Sequence, residues 1–360
     1  MSNQKRPGLS RRGFLGASVG VVAAGLGPSC TPEEGGGGGT GGTTASGGAS
    51  SGGASTGGRA VGGSGTGGTG STNNPLVGMV RGTDWAQATQ DAIAAVGGLP
   101  DLTGKTVVIR PNVIEGKADG TTSPEVIRGV IRAAKAKGAS TILVAEDSFN
   151  GDCLNYMQTL GITAVCTAEG ATPTNLAGGA TTNYRPTSAA AWANGIDFYN
   201  TVYNAGYVIN VPKCKTHGIA NFSLALKAWF GSLKRPGDLH TQIMNKAAEA
   251  HLARQEDFVV IDATRCMVTG GPGAGGIMKD SKIVVASKDA IAADVTGLAI
   301  IRYFGGTDTA TSVNSNPWTQ AQIRRAMALA IPGWLTAQAD FPYAQTGIAE
   351  AADIMAKRSA

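Results

Sequence analysis

The residues best suited to chemistry crowd into positions 207–234. An apolar run from Tyr207 to Val211 ends in Lys213, Lys215 and His217, and Lys227 follows ten residues later. Three ammonium groups and an imidazole around one mouth suit a phosphate or carboxylate, whose oxygens accept charge-assisted hydrogen bonds from such donors. Side chains two apart on a strand share a face, so Lys213, Lys215 and His217 project to one side while Cys214 and Thr216 face the other. His217 and Lys215 are the candidate catalytic pair. Asp262 or Asp294 would orient the imidazole or hold a divalent metal with it, and Asp147 is a further candidate partner for His217. Cys214, between two lysines, would be a reactive thiol if exposed. The reading preferred here is a small buried residue at a strand end. The other histidines, His240 and His251, read as helix-surface residues.

These groups need a strand before them and a helix after. Counting about 100° per residue from Asn221 gathers Phe222, Leu226, Trp229, Phe230 and Leu233 into a packing stripe, with Lys227 at its border beside Ala220 and Gly231. Small neighbours let a ligand approach Lys227, although a lysine at such a border can equally snorkel to solvent.

Upstream, residues 84–96 read as a helix and 104–110 as a strand, with the continuous apolar centre of a sheet covered on both faces. Ser123, Pro124 and Glu125 supply the start of a helix that runs to Lys137, and 141–145 is the next strand. Strand, helix, strand in that order is a right-handed crossover in a parallel sheet. Further helices are predicted over 152–160, 240–256, 289–304, 320–330 and 343–357, with strands over 162–166, 258–262 and 281–287. Residues 167–190 read as a polar flap or insertion. A strand rather than a helix follows the glycines of 270–276, which rejects a dinucleotide-binding fingerprint and leaves a loop or a backbone anion nest.

The fold class is therefore α/β, a mostly parallel central sheet flanked by helices over residues 75–360, as one large domain or two closely packed lobes. Ligands of such sheets gather beyond the carboxyl ends of the strands. That rule collects Arg110 and Asn112, Glu146 and Asp147, Lys213 through His217, and Asp262. Arg110, Asn112, Asp147, Lys213 and Lys227 form the candidate ligand-binding set.

Residues 31–74 hold 19 glycines in 44 positions, which predicts a disordered linker. Before it, Arg11 and Arg12 lie in a stretch, Ser10 to Leu15, that resembles a twin-arginine signal peptide and implies the twin-arginine export machinery as a partner. The apolar run 14–26 is shorter than the roughly 20 residues a membrane helix needs. Cys30 is a candidate for lipid attachment, with plain cleavage as the alternative. The expected location is the periplasm or the outer face of the cell envelope.

Of 30 basic and 25 acidic residues, Lys5, Arg6, Arg11, Arg12 and Arg59, with Glu33 and Glu34, precede residue 75, leaving 25 against 23 in the folded part. A balance that close gives no basis for binding nucleic acid through bulk charge. Cys153, Cys166, Cys214 and Cys266 contain no C-x-x-C pair, hence no iron–sulfur or zinc motif, and would allow three disulfide pairings in an oxidising compartment.

Several of these segments together resemble the bacterial and archaeal domain of unknown function 362. They are Ile109 to Asn112, Val211 to His217, Leu226-Lys227 with Phe230-Gly231, Asp262 with Gly271-Pro272, and Ser287 to Asp294. Arg110, Ala228 and Ala290 depart from the Lys, Asn and Pro common at those places. The family carries no established reaction. Its members with ferredoxin-like cysteine modules imply redox partners, but this chain lacks those cysteines and a redox role would need a separate electron carrier. The functional expectation is an exported enzyme acting on a small anionic substrate, metal-assisted or not. The alternative is a non-catalytic exported ligand-binding or redox-accessory protein using the same pocket.

Overall fold

Strands covered on both faces need apolar side chains at successive positions, and Thr106–Pro111, Tyr207–Val211 and Ile283–Ser287 meet that demand with nearly every residue buried. The computed structural model describes residues 74–148, 151–235, 238–273, 275–306 and 313–359. The signal-like segment with Arg11 and Arg12, Cys30 and nearly all of the glycine-rich linker lie outside the described residues.

The chain begins with β1 (Val77–Arg81), α1 (Trp85–Ala95), β2 (Thr106–Pro111), α2 (Pro124–Ala136) and β3 (Thr141–Glu146). Next come α3 (Cys153–Thr159), α4 (Ile162–Glu169), β4 (Thr172–Asn175), β5 (Thr181–Tyr184), β6 (Ile196–Tyr199) and α5 (Asn200–Tyr203). The central stretch is β7 (Tyr207–Val211), β8 (Lys213–His217), β9 (Asn221–Ser223), α6 (Ala225–Ala228) and α7 (Ile243–Glu249). The chain closes with β10 (Phe258–Thr269), β11 (Ile277–Lys279), β12 (Ile283–Ser287), α8 (Ala290–Tyr303), α9 (Ala321–Leu329), β13 (Tyr343–Thr346) and α10 (Ala351–Ala356).

The main sheet runs β13-β1-β12-β10-β7-β2-β3-β4. Strands β10, β7, β2, β3 and β4 are parallel, and β12 lies antiparallel between β10 and β1. Strand β8 continues from β7, pairs parallel with β10 and antiparallel with β9, while β5 and β6 form a separate pair. Alternation along β2 sends Val107 and Ile109 into the core under α1 and α2, and Val108 into a core with Phe198 and Trp229. A third core gathers α8, α9 and α10 against β10 and β12. This is the mostly parallel α/β architecture expected. Among the described residues no helix is long and apolar enough to cross a membrane.

Several elements differ from the sequence reading, each for a local reason. Residues 162–166 are helical: Gly161 and Gly170, both left-handed, bracket α4, whose Ile162, Val165 and Cys166 are buried at helical spacing. The single helix expected after residue 220 is divided, because pairing of Phe222 with Thr216 commits 221–223 to a strand. Only four residues of α6 and the 3-10 turn Trp229–Ser232 remain helical. Tyr343 belongs to β13 because it pairs with Val77. The Ser123 side chain makes no capping bond to α2; its backbone N–H instead donates to Asp262 Oδ2 at 2.7 Å.

Candidate functional site

Pro111, Glu146 and His217 end their strands, and the segments that follow them enclose a cavity of about 400 Å³. Its wall includes Asn112 and Glu115 after β2, Glu146 and Asp147 at the end of β3, and His217 at the end of β8. Lys227 and Phe230 contribute from α6 and its turn, Arg235, Leu239, His240 and Ile243 from the next segment, and Gly271 to Gly273 from the loop after β10.

A buried ion pair sets one wall. Arg110, fully buried, donates to Glu146 and to the Ala228 carbonyl, tying β2 to β3 and to the end of α6. Burial pushes the Glu146 carboxyl up to about 7, against the opposing pull of Arg110 and Arg235. Gly231 lies against this pair: a Cβ there would meet Glu146 Oε1 at 1.8 Å and Arg110 Nη1 at 2.2 Å. No side chain fits that position while the ion pair stands. Asp147 accepts hydrogen bonds from Arg235 at 2.7 Å and from the Tyr199 hydroxyl at 2.9 Å. Burial first, and Asp147 second, raise the Tyr199 phenol above its usual range.

The three basic groups of β8 have different partners. Lys213 pairs with Asp262 at 3.0 Å, and Asp262 also takes the N–H groups of Ser123 and Thr264 and the Thr264 hydroxyl. Lys215 donates to the Gly120 carbonyl at 2.6 Å. Burial, with Lys227 and Lys213 nearby, holds its amine well below the usual lysine range. His217 Nδ1 lies 3.2 Å from the Ile219 nitrogen and 3.1 Å from that of Ala220, accepting from both. The neutral ring therefore carries its proton on Nε2. Burial and the charges of Lys227 and Lys215 push the imidazolium down to about 2. Near neutral pH, His217 is a hydrogen-bond donor rather than a proton acceptor.

Lys227 owes its position to side chains from elsewhere in the fold. Four residues cannot hold a helix by their own hydrogen bonds, and α6 is anchored from outside. Asp294, buried on α8, accepts from the backbone nitrogens of Ala225 at 2.6 Å and Leu226 at 3.1 Å. Asn210 on β7 donates to the Ala225 carbonyl at 3.0 Å, and His251 Nε2 lies 3.3 Å from that of Leu226. His251 Nδ1 sits 2.7 Å from Glu256, off the alignment a hydrogen bond prefers, and the ring stacks on Trp229. His251 is thus a buried positioning group rather than a surface residue.

The Lys227 ammonium makes no hydrogen bond or ion pair with any described residue and lies 5.9 Å from the centre of the Phe230 ring. Burial brings it down to about 8; Glu146 opposes this, and Arg235 and Arg110 add to it.

The structure brings Asn112, Asp147, His217 and Lys227 together and leaves five expected site residues off the cavity wall. Lys213 and Asp262 satisfy each other beside the start of α2, Lys215 is bonded to Gly120, and Asp294 caps α6. Arg110 acts from behind the wall through Glu146. The cavity also recruits Arg235, Glu115 and His240, which lie in connecting segments without periodicity. Among the described residues no three His, Cys, Asp or Glu side chains gather as a metal ion would need. The four described cysteines are free and buried; burial pushes Cys153, Cys166 and Cys266 up to about 11, and Cys214 well above its usual value.

The Gly271–Gly273 segment meets the end of β8 on one side and the Gly120 segment on the other, backbone to backbone. A Cβ at Gly120 would meet the carbonyls of Pro272 at 2.6 Å and Gly273 at 2.9 Å, and one at Gly271 would meet the Thr216 carbonyl at 2.2 Å.

A family profile described as "Domain of unknown function (DUF362)" matches residues 107–299. No curated protein matches the chain. Among solved structures, the lactate racemase apoprotein from Thermoanaerobacterium thermosaccharolyticum is similar at 11% identity with a TM-score of 0.37. The match covers 51% of this chain and 49% of that one, so the chain spans about half that protein's length.

Replacing Asp294 by Asn removes one of two acceptors and strands a buried N–H of α6; chemical denaturation is expected to show a loss of about 1–3 kcal/mol. Lys227→Met is expected to stabilise the protein by on the order of 1 kcal/mol at neutral pH, because it removes a partly desolvated charge with no hydrogen-bonded or ion-paired partner among the described residues. Folding lowers the Lys227 pKa from 10.5 to about 8, so its penalty is full below pH 8 and fades toward 10.5. The advantage of the Met variant in denaturation midpoints should disappear over that interval.

Proposed function

We propose, for a chain that belongs to the domain of unknown function 362 family, that the cavity binds a small carboxylate- or phosphate-bearing molecule and acts on it. The observation that carries this is Lys227: a cation seated in the cavity wall, anchored through its backbone, with no anionic partner among the described residues. The residue is half-buried; a partly desolvated ammonium without a hydrogen-bonded or ion-paired partner among the described residues is costly, and an arriving anion offsets that cost. His217 adds a directed N–H. Catalysis is supported by two groups in one cavity that titrate near neutrality, Glu146 at about 7 and Lys227 at about 8. The second reading is a binding or accessory protein without chemistry. It is favoured by His217, whose imidazolium is too acidic to exchange protons at neutral pH. Export by the twin-arginine route, with or without a lipid on Cys30, belongs to this proposal and rests on the Arg11-Arg12 stretch.

Phenylacetate provides the test, with phenylacetamide as its uncharged counterpart. Calorimetry should show binding of the acid and not the amide. Lys227→Met should weaken acid binding roughly 10- to 150-fold, the equivalent of about 1.5–3 kcal/mol for one charged hydrogen bond. Affinity should fall as pH rises from 7, where Glu146 gains its charge, and steepen above 8, where Lys227 loses its own. An affinity unchanged by the substitution would remove the proposal.

A further inference from the structure

We infer that Lys227 is a nucleophilic amine that forms a Schiff base with a 2-oxo acid bearing an apolar side group, a conclusion that rests on reading the cavity as an anion site. The geometry has three parts. The amine makes no hydrogen bond or ion pair with a described residue and lies by the face of Phe230 in a wall that continues through Ile114, Leu239 and Ile243. His217, fixed through Nδ1, offers its Nε2–H in the same cavity for a carbonyl oxygen. Glu146 lines it too, with Oε2 held by Arg110 and Oε1 accepting from no described residue. A cavity of about 400 Å³ exceeds the needs of the smallest 2-oxo acids, and its apolar wall matches an aryl or alkyl group.

An ammonium is inert toward carbonyls; the neutral amine reacts. Desolvation and nearby cations are the means by which proteins supply it, and both act on Lys227, through burial and through Arg110 and Arg235. Lys215 and His217 are the other basic groups toward it and Glu146 the acidic one. With the amine at about 8, its neutral fraction at pH 7 is on the order of a hundred times that of an ordinary lysine.

In the step itself, the ammonium gives a proton to Glu146 through one bridging water, since the two make no direct ion pair, and the amine nitrogen adds to the carbonyl carbon. The carbonyl π electrons move to oxygen, which takes the first of the two protons left on nitrogen. The second nitrogen proton passes to the hydroxyl, water leaves as the C–O bond breaks, and the proton on Glu146 passes to the imine nitrogen. Ammonium and carbonyl become iminium and water. No oxidant is needed, and the positive charge that attracted the carboxylate is still beside it.

The experiment treats the full chain with phenylpyruvate and sodium cyanoborohydride, maps the reduced adduct by peptide mass spectrometry, and measures binding calorimetrically without reductant. Labelling of Lys227 is expected to be at least about tenfold faster than at the exposed Lys105 and Lys137. Phenyllactate, which lacks the carbonyl, should slow it by competition. Lys227→Arg keeps the charge and should still bind phenyllactate while giving no adduct. If phenylpyruvate binds but Lys227 is labelled no faster than Lys105, the Schiff base is overturned and the anion site stands. If neither acid binds, both fall.

Discussion

The cavity depends on a carboxylate that never reaches it. Asp294 closes the amino end of α6, and Asn210, His251 and Arg110 take up carbonyls along the same four residues. Their elements belong to different parts of the fold, so α6 registers the relative positions of β2, β7, α8 and the segment after α7. A helix that short would be marginal in water. Here it is as fixed as the surrounding core, and Lys227 with it. Burial raises the Asp294 carboxyl well above its ordinary value while the two N–H groups act in the opposite direction, so this anchor is itself under electrostatic tension.

The same tension recurs across the site. Arg110 meets Glu146, Lys213 meets Asp262, Arg235 meets Asp147, and Lys215 meets a carbonyl, each compensating a buried charge locally. Lys227 departs from this pattern, although it lies between several of these pairs. In a fold where buried cations are matched, a half-buried one at a cavity wall with no hydrogen-bonded or ion-paired partner among the described residues is the feature that supports the proposed anion.

Much of this architecture was legible from apolar continuity. Residues 104–110, 141–145 and 258–262 read as strands because a sheet covered on both faces leaves no room for alternation. The convergence of Asn112, Asp147 and His217 followed from the rule about strand ends. The errors have a common origin in tertiary choice. Ile162 to Cys166 is a short apolar run whose periodicity fits helix and strand alike. The helix after Ala220 was shortened by pairing with β8, and its cap comes from 69 residues downstream of Ala225, beyond any local pattern. Spacing could not tell that Lys213, Lys215 and His217, alternating on one strand face, would each meet a different partner. Arg235 and His240 lie in an irregular connection and gave no signal.

The close approach of Gly120 and Gly271 to neighbouring carbonyls makes one side of the cavity a wall of main chain. Such a wall has few side chains to exchange, and substitution at Gly120 or Gly271 cannot reshape it without parting the segments that meet there. The opposite side, with Phe230, Leu239 and Ile243, is built from side chains that can vary one at a time. Divergence among relatives in what the cavity accepts would therefore be written on that face rather than on the main-chain one.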